Sequence, residues 1–437
     1  MDSASRAGLH DLVWQAMSAV RLVVVIIGWL AGWWLLGRLR GLAPLPAVTA
    51  GKPIARPPVI SLVVPARDEA ATLPVLLASL RTQSLMPDQV VVVDDGSADA
   101  TAEVARMGGA DVVAAPALPA GWAGKAWACQ TGADATTGDL LVFLDADTSL
   151  APDGLARLAA DQRCVGGLIS VQPWHRCVRP VESLSALFNV VALMGVGAFA
   201  TVGGGRPSAG AFGPVLACSR TDYDDVGGHR SVRAEVVEDV WLACRFRASG
   251  FNVTCRAGLE AVSFRMYPEG LGQLIEGWTK NLAEGARRAT RPGTLALIVA
   301  WLTALASVAI GLTAAAAHVA AAHAAAHTGS VPPIGGLVVY VLAYVAVALQ
   351  MAWMLSRAGR FRWWAWGVWP VPMVVFVAVF IRSAAMMTLH RPVRWKGRRV
   401  PPAGASRSGH RNHPYHSDRD AHPDRPDRDA HHPDVTR

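Results

Sequence analysis

At 437 residues the chain can hold roughly two or three domains with ample core. Hydrophobic residues make up 52% of it and mean hydropathy is +0.29, yet charged residues reach 17%, unevenly spread, with a net charge of +8. That balance excludes a chain buried wholly in a bilayer and implies a soluble domain joined to membrane segments. The expected surface partner is a membrane, with no nucleic acid.

The first apolar run, residues 22–37 (LVVVIIGWLAGWWLLG), reaches the roughly 20 residues a bilayer requires only by including LVWQAMSAV before it, across Arg21. A secretory signal is the rival reading, because PAVTA at 46–50 resembles a small-residue cleavage site. The long n-region, and Arg38 and Arg40 directly after the apolar core, favour an uncleaved anchor. Residues 1–51 are thus read as anchor and juxtamembrane linker.

Residues 52–290 form the soluble part, and their punctuation is regular. VISLVVP (59–65) reads as a buried strand, DEAATLPVLLASLRTQS as a helix and QVVVVDDGS as a second strand ending in acids. ADATAEVARMGG then reads as a helix with a glycine stop, DVVAAP as a third strand and GKAWACQTGADATTG as a helix before the strand in GDLLVFLDAD (138–147). Strands alternating with helices give a mostly parallel, Rossmann-like α/β sheet whose ligands sit at the carboxyl ends of strands. Asp94 and Asp95 end one strand and Asp145 and Asp147 another, so both acid pairs are expected along one sheet edge. In an extended chain residues two apart face the same way, and hard carboxylate oxygens suit Mg²⁺ or Mn²⁺ completed by substrate phosphates. The competing reading of Asp147 is a helix N-cap ahead of APDGLARLAA. The six cysteines have no paired or zinc-like spacing and read as reduced thiols.

VVPARDE (63–69), VVVDDGSADAT (91–101), Gly124-Lys125 ahead of AWACQTG, DAD (145–147) and VVEDVWL (236–242) together resemble glycosyltransferase family 2, enzymes of GT-A fold that use nucleotide-diphosphate sugars. SVQPWH (170–175), LFNVVALMGVGAFATVGGGR, AFGPV (211–215), GGHRS (227–231), FRMYPEG (264–270), EGWTKNL (276–282) and VRWKGRR (393–399) extend the resemblance over nearly the whole chain. They look like the carotenoid-acid glucosyltransferases of the diaponeurosporenoate type and hopanoid-associated relatives. The resemblance implies donor contacts at Pro65, Arg67, Glu69 and Asp95, with Lys125 near the pyrophosphate. It also implies Asp145 on the ribose and metal side, Asp147 on the metal, and Asp239 as general base with Glu238 as its alternative. The chain departs from processive polysaccharide synthases, whose Gln-x-x-Arg-Trp signature is replaced by Gly277-Trp278-Thr279-Lys280. Trp278 is read as an acceptor platform or an interface anchor, and Lys280 as lying near the diphosphate.

Residues 184–202 are strongly apolar, broken only by Ser185, Asn189 and Thr201. A crossing there would separate Asp147 from Asp239, so an in-plane or re-entrant helix that lifts a lipid acceptor is expected. Further apolar segments at 294–317, 334–355 and 365–387 lie within a C-terminal membrane region, 291–390. Arg38, Arg40, Lys52, Arg56, Lys280, Arg287, Arg288 and Arg291 place the large domain in the cytoplasm of a multi-pass cell-membrane protein. The Ala/His loop 318–333 fits the far side, and the 391–437 segment reads as basic, then disordered. Arg382 and the prolines of Trp369-Pro-Val-Pro372 favour a bent or re-entrant last segment, returning Trp395 to Arg398 to the cytoplasmic face, over a plain span.

The resemblance implies an inverting transfer of sugar from a nucleotide-diphosphate donor, with UDP-glucose expected because a uridine nucleotide is the superfamily's usual donor, to a carotenoid acid or other polyisoprenoid. A processive polysaccharide synthase and an inactive transferase-like membrane protein are the alternatives. The intact acids at 95, 145, 147 and 239 argue against the last.

Overall fold

The computed structural model describes residues 3–45, 58–201, 208–235, 237–325, 334–389, 391, 393–395 and 398–400. The PAVTA stretch, residues 326–333, Lys396 with Gly397 and the tail from 401 lie outside the described residues. The chain starts with α1 (Ser3–Leu36), followed by β1 (Ile60–Ala66), α2 (Leu73–Leu80), β2 (Gln89–Asp94), α3 (Thr101–Met107), β3 (Asp111–Ala114), α4 (Gly124–Asp134) and β4 (Leu140–Leu144). Next come β5 (Thr148–Leu150), α5 (Gly154–Val165), β6 (Leu168–Gln172), β7 (Trp174–His175), a 3-10 turn (Pro180–Ser185) and α6 (Ala186–Gly195). Then follow β8 (Val215–Ser219), α7 (Arg220–Asp225), a second 3-10 turn (Gly228–Val232), α8 (Glu238–Ala248), β9 (Val253–Ala257), β10 (Val262–Phe264) and α9 (Leu271–Ala289). The chain continues through α10 (Pro292–Ala325), α11 (Gly335–Ala358), α12 (Trp364–Gly367), α13 (Pro370–Thr388), β11 (Val393–Trp395) and β12 (Arg398–Val400).

The main sheet has seven strands in the order β3-β2-β1-β4-β8-β6-β9. All five residues of β4 are buried and β1 is nearly so, the unbroken apolar run that a sheet covered on both faces requires. β3, β2, β1 and β4 run parallel, while β8 runs antiparallel to both β4 and β6. The reversal matters for the site, because it brings the start of β8 to the edge where β1, β2 and β4 end. There Asp145 N donates to Pro214 O at 2.9 Å. A small sheet β5-β10-β7 flanks this edge.

Among the described residues four helices are long and apolar enough to cross a membrane: 19–36 within α1, 292–324 of α10, α11 and α13. α1 and α10 approach closely because Gly28 and Gly32 carry no side chain; a Cβ at Gly28 would overlap the Ala304 methyl and the Ala300 carbonyl. Gln350 of α11 ties the group together, donating to Trp29 O at 2.8 Å and accepting from Trp301 Nε1 at 3.0 Å.

Three expectations change. The described part of the 184–202 run holds a ten-residue α-helix, α6, too short to span, and it is enclosed among α1, α9, α10, α11 and α13, which changes the in-plane form of the expectation and leaves the re-entrant form standing. The 365–387 segment is interrupted early, since α12 ends at Gly367 ahead of non-helical Val368, but the last helix itself is not bent by its prolines: Pro370 and Pro372 occupy the first turn of α13, where a missing N–H leaves no intrahelical bond unmade, and α13 runs for 19 residues. Asp147 is not a helix cap, since α5 begins at Gly154 behind Asp153, and Ala146-Asp147 form the turn from β4 into β5. The extended-chain argument for the DAD pair therefore does not apply at these positions.

Gly28→Leu forces side-chain volume into the α1–α10 contact and should destabilise the protein by about 1–3 kcal/mol. Thermal unfolding of the full chain in detergent checks this; an unchanged midpoint would mean that the contact is slack.

Candidate active site

The ends of β1 and β2 are laced into one shelf. Asp95 N donates to Ala66 O and Arg67 Nη1 returns a bond to Asp95 O, both at 2.9 Å. Glu69 N donates to Thr101 Oγ1 at 2.8 Å, Asp68 N to Ser97 Oγ at 3.0 Å and Ala98 N to Asp68 Oδ1 at 2.8 Å. Pro65, Arg67, Glu69 and Asp95 are all partly exposed along this shelf. Asp94 differs from its neighbour: its Oδ1 accepts from Ser97 N at 3.0 Å and shapes the turn.

Beside the shelf, Lys125 from the first turn of α4 joins two acids from distant parts of the chain. Its Nζ lies 2.8 Å from Asp145 Oδ1, at the end of β4, and 3.2 Å from Glu238 Oε1, the first residue of α8. A Cβ at Gly213 would stand 3.0 Å from Asp239 Oδ2 and 3.1 Å from Lys125 Nζ, so the glycine allows the backbone to close over the pair. Lys280 of α9 faces the same acids.

The electrostatics separate two adjacent carboxylates. Burial disfavours ionised Glu238, but Lys125 and Lys280 outweigh it and hold its pKa below the ordinary value. Burial and the charge of Glu238 instead push Asp239 up, against the pull of Lys125. Burial also opposes the charge on Lys125, but Asp145 and Glu238 override it and raise its pKa. Lys280 is shifted down by burial, with the acids opposing.

The structure thus brings Lys125, Asp145, Glu238, Asp239 and Lys280 together. Asp147 stands on the turn after β4, its carbonyl accepting from Arg265 N at 3.2 Å. Trp278, read as an acceptor platform, is only 8% exposed; it stacks on Phe188 with centroids 4.9 Å apart and donates to Ser185 Oγ at 3.1 Å. Among the described residues no three His, Cys, Asp or Glu side chains converge as a metal site. The two acids of the DAD turn still suit a hard cation that takes its remaining oxygens from a diphosphate and water. Asp145 can join such a shell only if Lys125 shares or releases it.

One model matches residues 61–163, that of "Glycosyl transferase family 2". The 4,4'-diaponeurosporenoate glycosyltransferase of Staphylococcus aureus (strain MRSA252) is 34% identical over 343 residues, 78% of this chain and 87% of that protein. The chain belongs to glycosyltransferase family 2. The enzyme of the same name from Staphylococcus haemolyticus is 40% identical over 249 residues, 56% of this chain and 66% of its own length. Among solved structures, a mannosyltransferase from Pyrobaculum calidifontis in complex with GDP-Man and Mn²⁺ aligns at 20% identity and a TM-score of 0.47, covering 85% of this chain and 96% of its own.

The glycosyltransferase fold also uses residues that the sequence reading quoted only as family signature. In GGHRS, His229 Nδ1 lies 2.9 Å from the Tyr223 hydroxyl, and Gln130 of α4 accepts from Arg230 N at 3.0 Å. These bonds fix α4, and hence Lys125, against the segment leading into α8. Burial lowers the pKa of His229 to about 4, so the ring stays neutral at physiological pH. The motif GGHRS was the visible signal; its role as a brace required the fold.

Because the pKa of Glu238 is depressed, its pairing contributes stability above the ordinary carboxylate range and loses it as pH falls through the lowered value. Lys125→Met leaves three acids without their shared cation. It should cost about 2 kcal/mol at neutral pH, less than a fully buried pair because Lys125 is 32% exposed. In the variant Glu238 loses the first of the cations that hold its pKa down, so the deficit should shrink as it protonates. Thermal unfolding at pH 8 and pH 5 measures both effects.

Proposed function

We propose that the enzyme transfers a sugar from a nucleotide-diphosphate donor, UDP-glucose as the working choice, to the carboxyl group of a carotenoid acid or a related polyisoprenoid, with inversion at the anomeric carbon. The observation that carries the reading is the meeting of Lys125, Asp145, Glu238 and Asp239 between the strand-end shelf and α9, the helix that packs on the apolar α6 and α13. The names of the relatives supply the acceptor class. The apolar helices and the basic residues beside them support a multi-pass protein with its transferase domain in the cytoplasm.

In this mechanism the nucleotide lies along Pro65, Arg67, Glu69 and Asp95. An acceptor oxygen bonds to the anomeric carbon as the bond from that carbon to the diphosphate breaks. The electron pair departs with the nucleoside diphosphate, whose charge Lys125 and Lys280 face. Asp239 takes the proton of a protonated acceptor; Glu238 stays ionised and paired. Asp147, with Asp145, would hold Mg²⁺ or Mn²⁺, which when bound supplies Lewis-acid charge to the leaving group. Trp278 contributes by fixing α9 between Phe188 and Tyr267.

Membranes incubated with labelled UDP-glucose and a carotenoid acid should yield an organic-extractable, alkali-labile ester. Label in a water-soluble polymer would favour a polysaccharide synthase and overturn the proposal.

The Asp239 carboxyl is raised to about 7, so the ionised fraction of a base there grows as pH climbs through neutrality. With a protonated acceptor, kcat/KM should rise from pH 6 to 8 and level off. Asp239→Asn should remove that rise and lower turnover by roughly two to four orders of magnitude while donor binding survives. Asp147→Ala should abolish transfer in folded protein, and EDTA should reproduce the loss; full activity in excess chelator would overturn the metal assignment.

A further inference from the structure

Arg265, in FRMYPEG, acts on both sides of the β5-β10-β7 sheet. Its backbone amide donates to the Asp147 carbonyl at 3.2 Å. Its guanidinium donates to Glu182 Oε1 through Nη2 at 2.8 Å and Nε at 3.2 Å. Glu182 is wholly buried, and its second oxygen accepts from Val178 N at 2.6 Å. The pair is charge-assisted, with Glu182 buried and the Arg265 side chain 31% exposed. A partly buried ion pair is poor evidence of net stability, because desolvation offsets its attraction. Its direction of support is more informative.

Strand pairing sets Phe264 opposite Thr148 and beside His175, so residue 265 emerges against the DAD turn. Glu182 lies in the 3-10 turn Pro180–Ser185, which packs on α9 and α13; there Ser183 Oγ accepts from Arg362 N at 3.2 Å. Two residues beyond Arg265, Tyr267 takes φ = +58°, an unusual backbone for a bulky residue, and its ring meets Trp278 edge-on at 6.1 Å. The 265–267 segment is thus held from the membrane-side helices while it supports the Asp147 turn.

We propose that Glu182 and Arg265 are a positioning pair that holds Asp147 in the orientation needed for a divalent cation and the donor diphosphate. This rests on the reading of Asp147 as the metal seat. Neither residue touches the reacting atoms; they act through the backbone of Asp147.

The test uses full-length protein in detergent with Mn²⁺ and UDP as probes. Arg265→Lys and Glu182→Gln should each weaken Mn²⁺ binding in the presence of UDP about 10-fold, as loss of a partner that orients a ligand does. UDP binding in EDTA should be unchanged, and half-saturating Mn²⁺ for turnover should rise in parallel with kcat nearly preserved at saturating metal. A purely structural role would instead lower the unfolding midpoint and UDP affinity together. The double variant Glu182→Gln/Arg265→Gln, which leaves no unpaired buried charge, serves where the single variants misfold. Wild-type Mn²⁺ affinity in folded variants overturns the proposal. Asp147→Ala separates the two ideas: if it keeps Mn²⁺ binding, the metal-seat reading fails; if it loses binding while the pair variants do not, only the positioning role fails.

Discussion

One ammonium group holds the site together. Lys125 lies within hydrogen-bonding reach of Asp145 and Glu238, which come from a strand end and a helix start far apart in sequence. Its positive charge offsets the repulsion between carboxylates gathered in a partly dry edge. Asp239 is set by burial and by Glu238, against the pull of that same ammonium. Glu238 and Asp239 are consecutive in α8, yet one is held ionised by lysines and the other is pushed towards its protonated form by burial and its neighbour's charge. Two adjacent acids with opposite shifts are suited to different tasks, a fixed anion and a proton acceptor.

The second constraint is that α9 serves two environments. Leu274, Trp278, Leu282 and Ala283 face α6 and α13, and Ser383 locks the helices by accepting from Ala283 N at 3.1 Å and donating to Thr279 O at 2.7 Å. Lys280, on the same helix, faces the acids of the site. The polar cluster is thereby referenced to the apolar helices without a flexible linker. This is the arrangement required where one substrate is water-soluble and the other partitions into lipid.

Much of this was legible in the residues. The runs of Val, Ile and Leu cut by Gly, Pro and Asp gave strands such as 59–65, observed as Ile60–Ala66, and they predicted that acids would collect at one edge. Local chemistry misled where a residue type has two stable uses. Proline breaks a helix interior but starts a helix equally well, as Pro370 does. A segment apolar all round can face lipid or a protein interior, and α6 faces the interior. The indole of Trp278 reads the same in sequence whether it meets a ligand or fills a core. The Lys125 bridge and the Glu182–Arg265 pair were beyond reach because they depend on strand order, including the reversed β8, and not on spacing along the chain.

The glycine-lined contact of α1 with α10 has a mechanical consequence. These helices bracket the transferase domain in sequence, so their pairing pins its entry and exit at one place and turns the domain into a closed loop. The entropic charge for closing so long a loop grows only with the logarithm of its length, so a close seam can sustain it. A body tethered at two adjoining points has little freedom to swivel about either.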